Sequence, residues 1–289
     1  FAHLPGQPFH GEVEQMSTLD EAARSTIASA DAFYVASYNP QGVDASHRGG
    51  KPGFVRVSDD GLLTIPDFNG NLFFSTLGNI HQNGKAGLLF VDYRSGDTLQ
   101  MSGEASVILD SPEIAAFQGA ERLWTFRPRR IVRRRAALAL RWQTTPEGIS
   151  PASAMTGDWQ STAERLRASE LAQRWRPFKV TKIVDESASI RSFHLLPDDG
   201  AGLLPHQAGQ HLPVRVQLPD NEKALIRHYT LSVAPSDGFY RISVKRDGVV
   251  SRYLHDHLQV GDRLETRAPA GDFTIDAQET RSAVLMAAV

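Results

Sequence analysis

Two clusters in the second half of the chain have the residue types and spacing to hold a negative group and a flat ring together. The first is Arg227-His228-Tyr229-Thr230-Leu231-Ser232. Side chains of an extended strand repeat on one face every two residues, so Arg227 and Tyr229 share a face, and Thr230 points the other way with its hydroxyl and backbone free to bond. The second starts twelve residues after Ser232 and runs Val244-Lys245-Arg246-Asp247-Gly248-Val249-Val250-Ser251 into a helical stretch, Val250 to His257. A helix start presents N–H groups that no carbonyl of the helix satisfies, and these suit phosphate oxygens. Arg-His-Tyr-Thr alone also fits an exposed strand end; the second cluster, the spacing and the strand context together favour binding. His228 reads either as a group that tunes a bound ring or as a strand histidine turned to solvent.

The elements that must position these residues are mostly strands. In the first half, Ala32 to Tyr38, Gly53 to Val57, Leu62 to Ile65, Leu72 to Ser75, Ala86 to Asp92 and Thr98 to Leu109 are rich in aromatic and branched residues and are separated by Gly, Asn, Asp or Pro. Asp59-Asp60-Gly61 and Ser95-Gly96-Asp97 supply hairpin turns. Ser17 to Ala30, with Asp20 and Glu21, and Ser111-Pro112-Glu113 open helices. Thr144 to Asp158 breaks any periodic pattern, and a helix follows over Gln160 to Trp175. From Arg176 short strands resume: Phe178 to Val184, Ser189 to Leu196, His211 to Leu218, His228 to Val233 and Tyr240 to Lys245. The expectation is a mainly β chain with flanking helices (α+β), with two unlike antiparallel barrels.

Composition sets limits on function. The chain has 289 residues, enough for two domains, with 41% hydrophobic and 22% charged residues. A net charge of -2 argues against a nucleic-acid-binding protein that works by bulk positive charge. The run Arg127 to Arg135 holds six arginines; it reads as a solvated face, with an anion patch or docking face for an acidic partner as alternatives. There is no cysteine, which excludes disulfides, thiolate metal sites and iron-sulfur clusters within these residues. No metal is expected, because His206/His211 and His255/His257 lack a third ligand at useful spacing. No apolar window approaches a membrane span, so no membrane partner is expected and a cytoplasmic location is the default. Phe1-Ala2-His3-Leu4-Pro5 reads as a trimmed start, and Trp124, Trp142, Trp159 and Trp175 read as packing residues around the helical linker.

The two clusters resemble the FAD-binding domain of the ferredoxin-NADP reductase superfamily, whose signature is Arg-x-Tyr-Ser/Thr with a later Gly-x-x-Ser at a helix start. Gly261-Asp262 and Pro269-Ala270-Gly271-Asp272-Phe273 fall where that family has its Val-Gly-Asp turn and Gly-x-Phe segment. The resemblance implies that Arg227, His228, Tyr229, Thr230, Val244, Lys245, Gly248, Val249, Val250 and Ser251 bind FAD, and that the barrel is a Greek key. It also implies that Arg281 to Val289 opens a nicotinamide-nucleotide-binding domain. NAD(P)H, and a 2Fe-2S cluster if there is one, would then belong to sequence beyond Val289.

Ala32 to Leu109 is similar to the pyridoxamine 5'-phosphate oxidase-like split-barrel flavoproteins. The matching residues are Asp44-Ala45-Ser46-His47-Arg48-Gly49-Gly50, Pro52-Gly53-Phe54-Val55-Arg56-Val57, Leu63-Thr64-Ile65-Pro66-Asp67, Asn69-Gly70-Asn71, Leu77-Gly78-Asn79-Ile80 and Gly87-Leu88-Leu89-Phe90. In that family FMN lies at a dimer interface, so the resemblance implies a homodimer and makes Arg56, Val57, Ser75, Thr76, Asn79 and Gln100 candidates for FMN. The cluster is less basic than in the oxidase, and a barrel that keeps the fold without the flavin, with Arg48 and Arg56 in ion pairs, is the alternative. The domains expected are a split barrel over 1–145, a helical linker over 146–175, an FAD-binding barrel over 176–280 and the start of a nucleotide-binding domain over 281–289. The function expected is a flavin-dependent oxidoreductase that passes electrons from NAD(P)H through FAD to a second centre, a redox partner or a small-molecule acceptor. In the alternative, the first barrel is a flavin-free pairing or binding module.

Overall fold

A computed structural model describes residues 11–274, apart from 71–72, 140, 144, 146–147, 149, 220 and 236–237. The expected strand over Arg281 to Val289 lies outside the described residues. The chain divides into two compact units, up to residue 163 and from residue 164.

The first unit contains β1 (Val13–Met16), α1 (Glu21–Ser29), β2 (Ala32–Asn39), β3 (Gly42–Gly49), β4 (Arg56–Val57), β5 (Leu63–Phe68), α2 (Ser75–Asn83), β6 (Lys85–Val91), β7 (Thr98–Ile108), α3 (Pro112–Ala116), β8 (Ala120–Arg134) and α4 (Pro151–Ala154). Helix α5 (Trp159–Glu170) spans the division between the units. The sheet order is β3-β2-β6-β7-β8-β5-β4, with β1 on β8, and every pairing is antiparallel. Its core stacks Phe33 on Phe54 and Phe90, with ring centroids 5.9 and 5.0 Å apart, and sets Trp124 against Phe33. Trp124 is therefore a barrel-core residue, and Trp159 joins the same core with its indole N–H donated to the Phe54 carbonyl at 2.9 Å.

Several elements differ from the sequence expectation, and of the strand expected over Gly53 to Val57 only Arg56–Val57 is one. The arginine run lies at the end of a fifteen-residue strand, β8, and four of its six cations are matched by carboxylates of neighbouring elements. Arg127 meets Asp60, Arg129 meets Glu104, Arg133 meets Glu14 and Asp20, and Arg135 meets Glu14 and Asp97. Strand β3, too polar to stand out, pairs with β2 along its full length. Phe73, Phe74 and Ser75, expected within a strand, instead lead into α2, and Leu77-Gly78-Asn79-Ile80 is helical. Thr76, Leu77, Asn79 and Ile80 are buried on one side of α2, which ends at Gly84 with φ 69°.

The second unit contains β9 (Arg176–Asp185), β10 (Ile190–Pro197), β11 (His211–Val216), β12 (Leu225–Thr230), β13 (Tyr240–Lys245), α6 (Val249–His257) and β14 (Arg263–Thr266). The sheet order β12-β11-β14-β9-β10-β13 joins two sequential hairpins, β9-β10 and β11-β12, through the non-sequential neighbours β11-β14, β14-β9 and β10-β13, and a bridge between Leu231 and Ile242 joins its two edges into a barrel. Strand β13 alternates buried Tyr240, Ile242 and Val244 with outward Arg241, Ser243 and Lys245, which is the period a half-buried strand requires. The core is separate from that of the first unit and is built from Phe178, Phe193, Leu195, Val214, Ile242 and their neighbours.

Candidate functional site

Strand order decides whether the two clusters of the second unit can act together. Leu231 faces Ile242 in an antiparallel bridge, and Ser232 N–H bonds the Arg241 carbonyl at 2.9 Å. Moving back from Leu231 to Thr230, Tyr229 and Arg227 runs in the same direction as moving forward from Ile242 to Val244, Lys245 and Gly248. Both clusters therefore lie on the same side of the bridge, at one end of the barrel. Tyr229 packs against the core from a half-buried position, and burial pushes its phenol pKa up, while the Arg227 charge acts in the opposite direction. Arg227 bonds the Ile226 carbonyl at 2.8 Å, and among the described residues neither Arg227 nor Lys245 has a carboxylate partner.

Helix α6 begins where the second cluster needs it. The Ser251 hydroxyl accepts the N–H groups of Asp247 at 3.0 Å and Gly248 at 2.8 Å, which closes the first turn. Arg252 N–H to the Gly248 carbonyl closes the first turn of the helix, so the N–H groups of Val249 and Val250 precede any intrahelical partner. A Cβ added at Gly248 would come no nearer than 4.0 Å to any atom, so the backbone there is open to a close approach. His255 Nε2 lies 2.8 Å from the Val244 carbonyl, and Arg191 donates to the His255 carbonyl at 2.6 Å; these contacts fix the helix to β13 and β10. Val244 and Val250 are buried and set the backbone, whereas Lys245 and Val249 are exposed.

The third segment, Pro269 to Phe273, also converges here. His211 exchanges both backbone hydrogen bonds with Ala270 and pairs with Thr230 across β11 and β12. His228 stacks on His211 at 4.7 Å with 14° between the rings, a contact the sequence reading did not anticipate because it joins residues seventeen apart across two strands. Gly209, at φ 97°, lets the Phe273 backbone pass so close that a Cβ would lie 1.9 Å from its carbonyl oxygen. Gly261-Asp262 lies elsewhere: its backbone bonds Val180 on β9, which makes it a barrel turn. The sequence reading also missed the hydroxyl chain Ser192, Ser243 and Ser232, with 2.8 Å between successive oxygens, which ties three strands beside Thr230. The free cations, the open helix start and the half-buried tyrosine fit a dinucleotide with a flat ring.

Residues 177–275 match the family model described as oxidoreductase FAD-binding domain, and residues 19–144 match that described as pyridoxamine 5'-phosphate oxidase. The chain thus joins a region similar to the pyridoxamine 5'-phosphate oxidase split barrel to a region similar to the reductase-type FAD-binding domain. It is 48% identical over 125 residues to a flavohemoprotein of Bacillus subtilis, a match covering 42% of this chain and 31% of that protein. It is also 48% identical over 116 residues to a flavohemoprotein of Deinococcus radiodurans, covering 39% of this chain and 28% of that one. The matched part spans less than a third of either relative. Among solved structures, the flavohem-like FAD/NAD-binding domain of a Vibrio cholerae nitric oxide dioxygenase is 44% identical, covering 36% of this chain and 47% of that one with a TM-score of 0.34.

In the split barrel, the six residues weighed for FMN are spread over three elements, β4, α2 and β7. Arg56 and Val57 are on β4, where Arg56 makes a two-pronged pair with Glu113. Ser75, exposed, and Thr76, buried, open α2, and the Thr76 hydroxyl bonds Asp44 and Ser46 of β3. Asn79 donates to the Ser37 hydroxyl at 3.1 Å inside the barrel, and Gln100 on β7 accepts from Arg134 at 3.0 Å. On the outer face of the sheet, a hollow of about 670 Å³ is floored by Ala36, Ala45 and Gly87 and edged by Tyr38, Val43, Lys85 and Arg129. Tyr34 shares that face, and Val43 is 87% exposed. Among the described residues, no helix is long and apolar enough to cross a membrane.

Proposed function

We propose that this chain is the FAD-binding part of a flavin-dependent oxidoreductase that takes electrons from NAD(P)H and passes them to a redox partner or small-molecule acceptor. The observation that carries the reading is the convergence of Arg227, Tyr229, Lys245 and the open start of α6 at one end of the second barrel. Bound FAD supplies the redox chemistry, accepting a hydride and releasing electrons. The residues that would hold it are Arg227 and Lys245, as cations for its phosphates, the N–H groups of Val249 and Val250, as donors to phosphate oxygens, and Tyr229, as a flat partner for its ring. Thr230, on the opposite face of β12, offers its hydroxyl and backbone to the ring edge.

The family match and the flavohemoprotein relatives support the FAD reading. The test is to purify the chain, release its cofactors with acid and quantify FAD, then follow reoxidation of the reduced protein by ferricyanide. Bound FAD that is reoxidised is expected; a chain that neither retains nor takes up FAD would sink the reading.

The split barrel pairs two copies in this reading, a role favoured by the apolar outer face of Tyr34, Tyr38 and Val43 around the hollow. Two versions of its contribution differ in flavin count. A barrel with FMN as a second redox centre gives two flavins per chain, and a pairing module gives one.

A further inference from the structure

We propose that the split barrel carries no FMN, because carboxylates of this chain hold the groups a flavin phosphate would need, and that FAD is the only flavin of these residues. Three carboxylates do this. Glu113 accepts both prongs of Arg56 at 2.6 and 2.9 Å, while the Trp159 ring covers the guanidinium face at 3.8 Å. Asp67, whose side chain is 5% exposed, accepts Arg48 at 2.6 Å and Arg122 at 3.1 Å. Asp44 accepts the Thr76 hydroxyl at 2.5 Å, in the first turn of α2, where the helix would otherwise offer its N–H groups to a phosphate.

A phosphate monoester carries roughly -1.5 to -2 charge at neutral pH. At the start of α2 it would stand against the Asp44 carboxylate, which Thr76 holds in place. Each cation it could recruit must first leave a short carboxylate pair, and for Arg56 a ring stack as well. The three guanidiniums of Arg48, Arg56 and Arg122 stand against four carboxylates, Asp44, Asp67, Glu113 and the Glu121 that also pairs with Arg122, so these groups offer an incoming dianion no net attraction. The FAD-binding domain is built the opposite way, with Arg227 and Lys245 free of carboxylates and Gly248 open.

This inference uses the placement of FMN residues that the split-barrel likeness suggests, and it stands apart from the FAD reading because the two flavins are counted separately. The purified chain is incubated with excess FMN and FAD and desalted, and the acid-released flavins are separated by chromatography. About one FAD and no FMN per chain is expected. One FMN per chain overturns the inference, whereas loss of FAD alone would overturn only the proposed function. The cause is tested by Asp44→Asn, and by Glu113→Gln should the first variant not fold by circular dichroism. Removing a carboxylate should tighten FMN binding, read as fluorescence quenching, by about tenfold. Unchanged quenching in a folded variant overturns the carboxylates as the cause.

Discussion

Arg227 and Arg56 are both strand arginines next to a possible phosphate, and their surroundings give them opposite roles. Among the described residues Arg227 bonds a main-chain carbonyl and no carboxylate, which leaves its charge available to a ligand, whereas Arg56 is held between Glu113 and Trp159. Arg227→Ala should therefore weaken FAD binding by about ten- to a hundredfold, the size of one charge-assisted hydrogen bond, without lowering the Tm of the flavin-free chain, because the side chain is exposed; fluorescence titration and a melting curve of the apoprotein check both. A second residue-scale expectation concerns acid. The Arg176 guanidinium, 5% exposed, holds the Asp199 carboxyl below the usual carboxylate range, and Arg133 does the same for Asp20, which also caps α1. A carboxyl with a lowered folded-state pKa stabilises fully above its unfolded value of about 4 and loses that contribution as pH falls through the folded value. Tm should fall as pH drops from about 5 toward 2, and Asp199→Asn should lower Tm at neutral pH while flattening that acid dependence in the second unit.

At the scale of elements, α6 and the loop before β11 are the pieces whose local geometry serves the site. Ser251 closes the first turn of α6 by taking two backbone N–H groups, so Ser251→Ala should cost about 1 kcal/mol of stability and weaken FAD binding, with Ser251→Thr restoring much of both. The buried Val250 and Leu254 keep the helix docked in either variant. Gly209 combines φ 97° with the near approach of Phe273, so Gly209→Ala should destabilise by about 1–3 kcal/mol and disturb the Gly271-Asp272-Phe273 segment, read by chemical denaturation. The same change at Gly61, with φ 81° but open space around it, should cost less.

The whole chain has two separate cores, one in each unit, and each can melt as its own cooperative transition. Calorimetry should resolve two transitions, with FAD raising only that of the FAD-binding domain, by about 2.7 kcal/mol at a hundred times Kd. The proposed pairing role of the split barrel belongs to this scale too. Light scattering should report a dimer, and Val43→Glu, a charge placed on the exposed apolar face, should shift it toward monomer without changing FAD content.

The elements that carry the candidate FAD cluster were legible in sequence because Arg227 to Thr230 and Gly248 to Ser251 are each local: a strand period and a helix start fix how neighbouring residues point. Most strands were legible for the same reason, from Ala32–Asn39 to Tyr240–Lys245. What sequence could not reveal depended on partners far along the chain. Strand β8 was obscured because a run of arginines reads as a solvated face until Glu14, Asp20, Asp60, Asp97 and Glu104 arrive from other elements to neutralise it. Helix α2 was obscured because Phe73 and Phe74 favour a strand locally, while packing of Leu77 and Ile80 into the barrel outweighs that preference. The same long-range pairing separates the two candidate phosphate sites. Composition supplies arginines to both halves, and only the tertiary structure decides which of them meet a carboxylate, because Coulomb attraction acts across space and takes no account of distance along the chain.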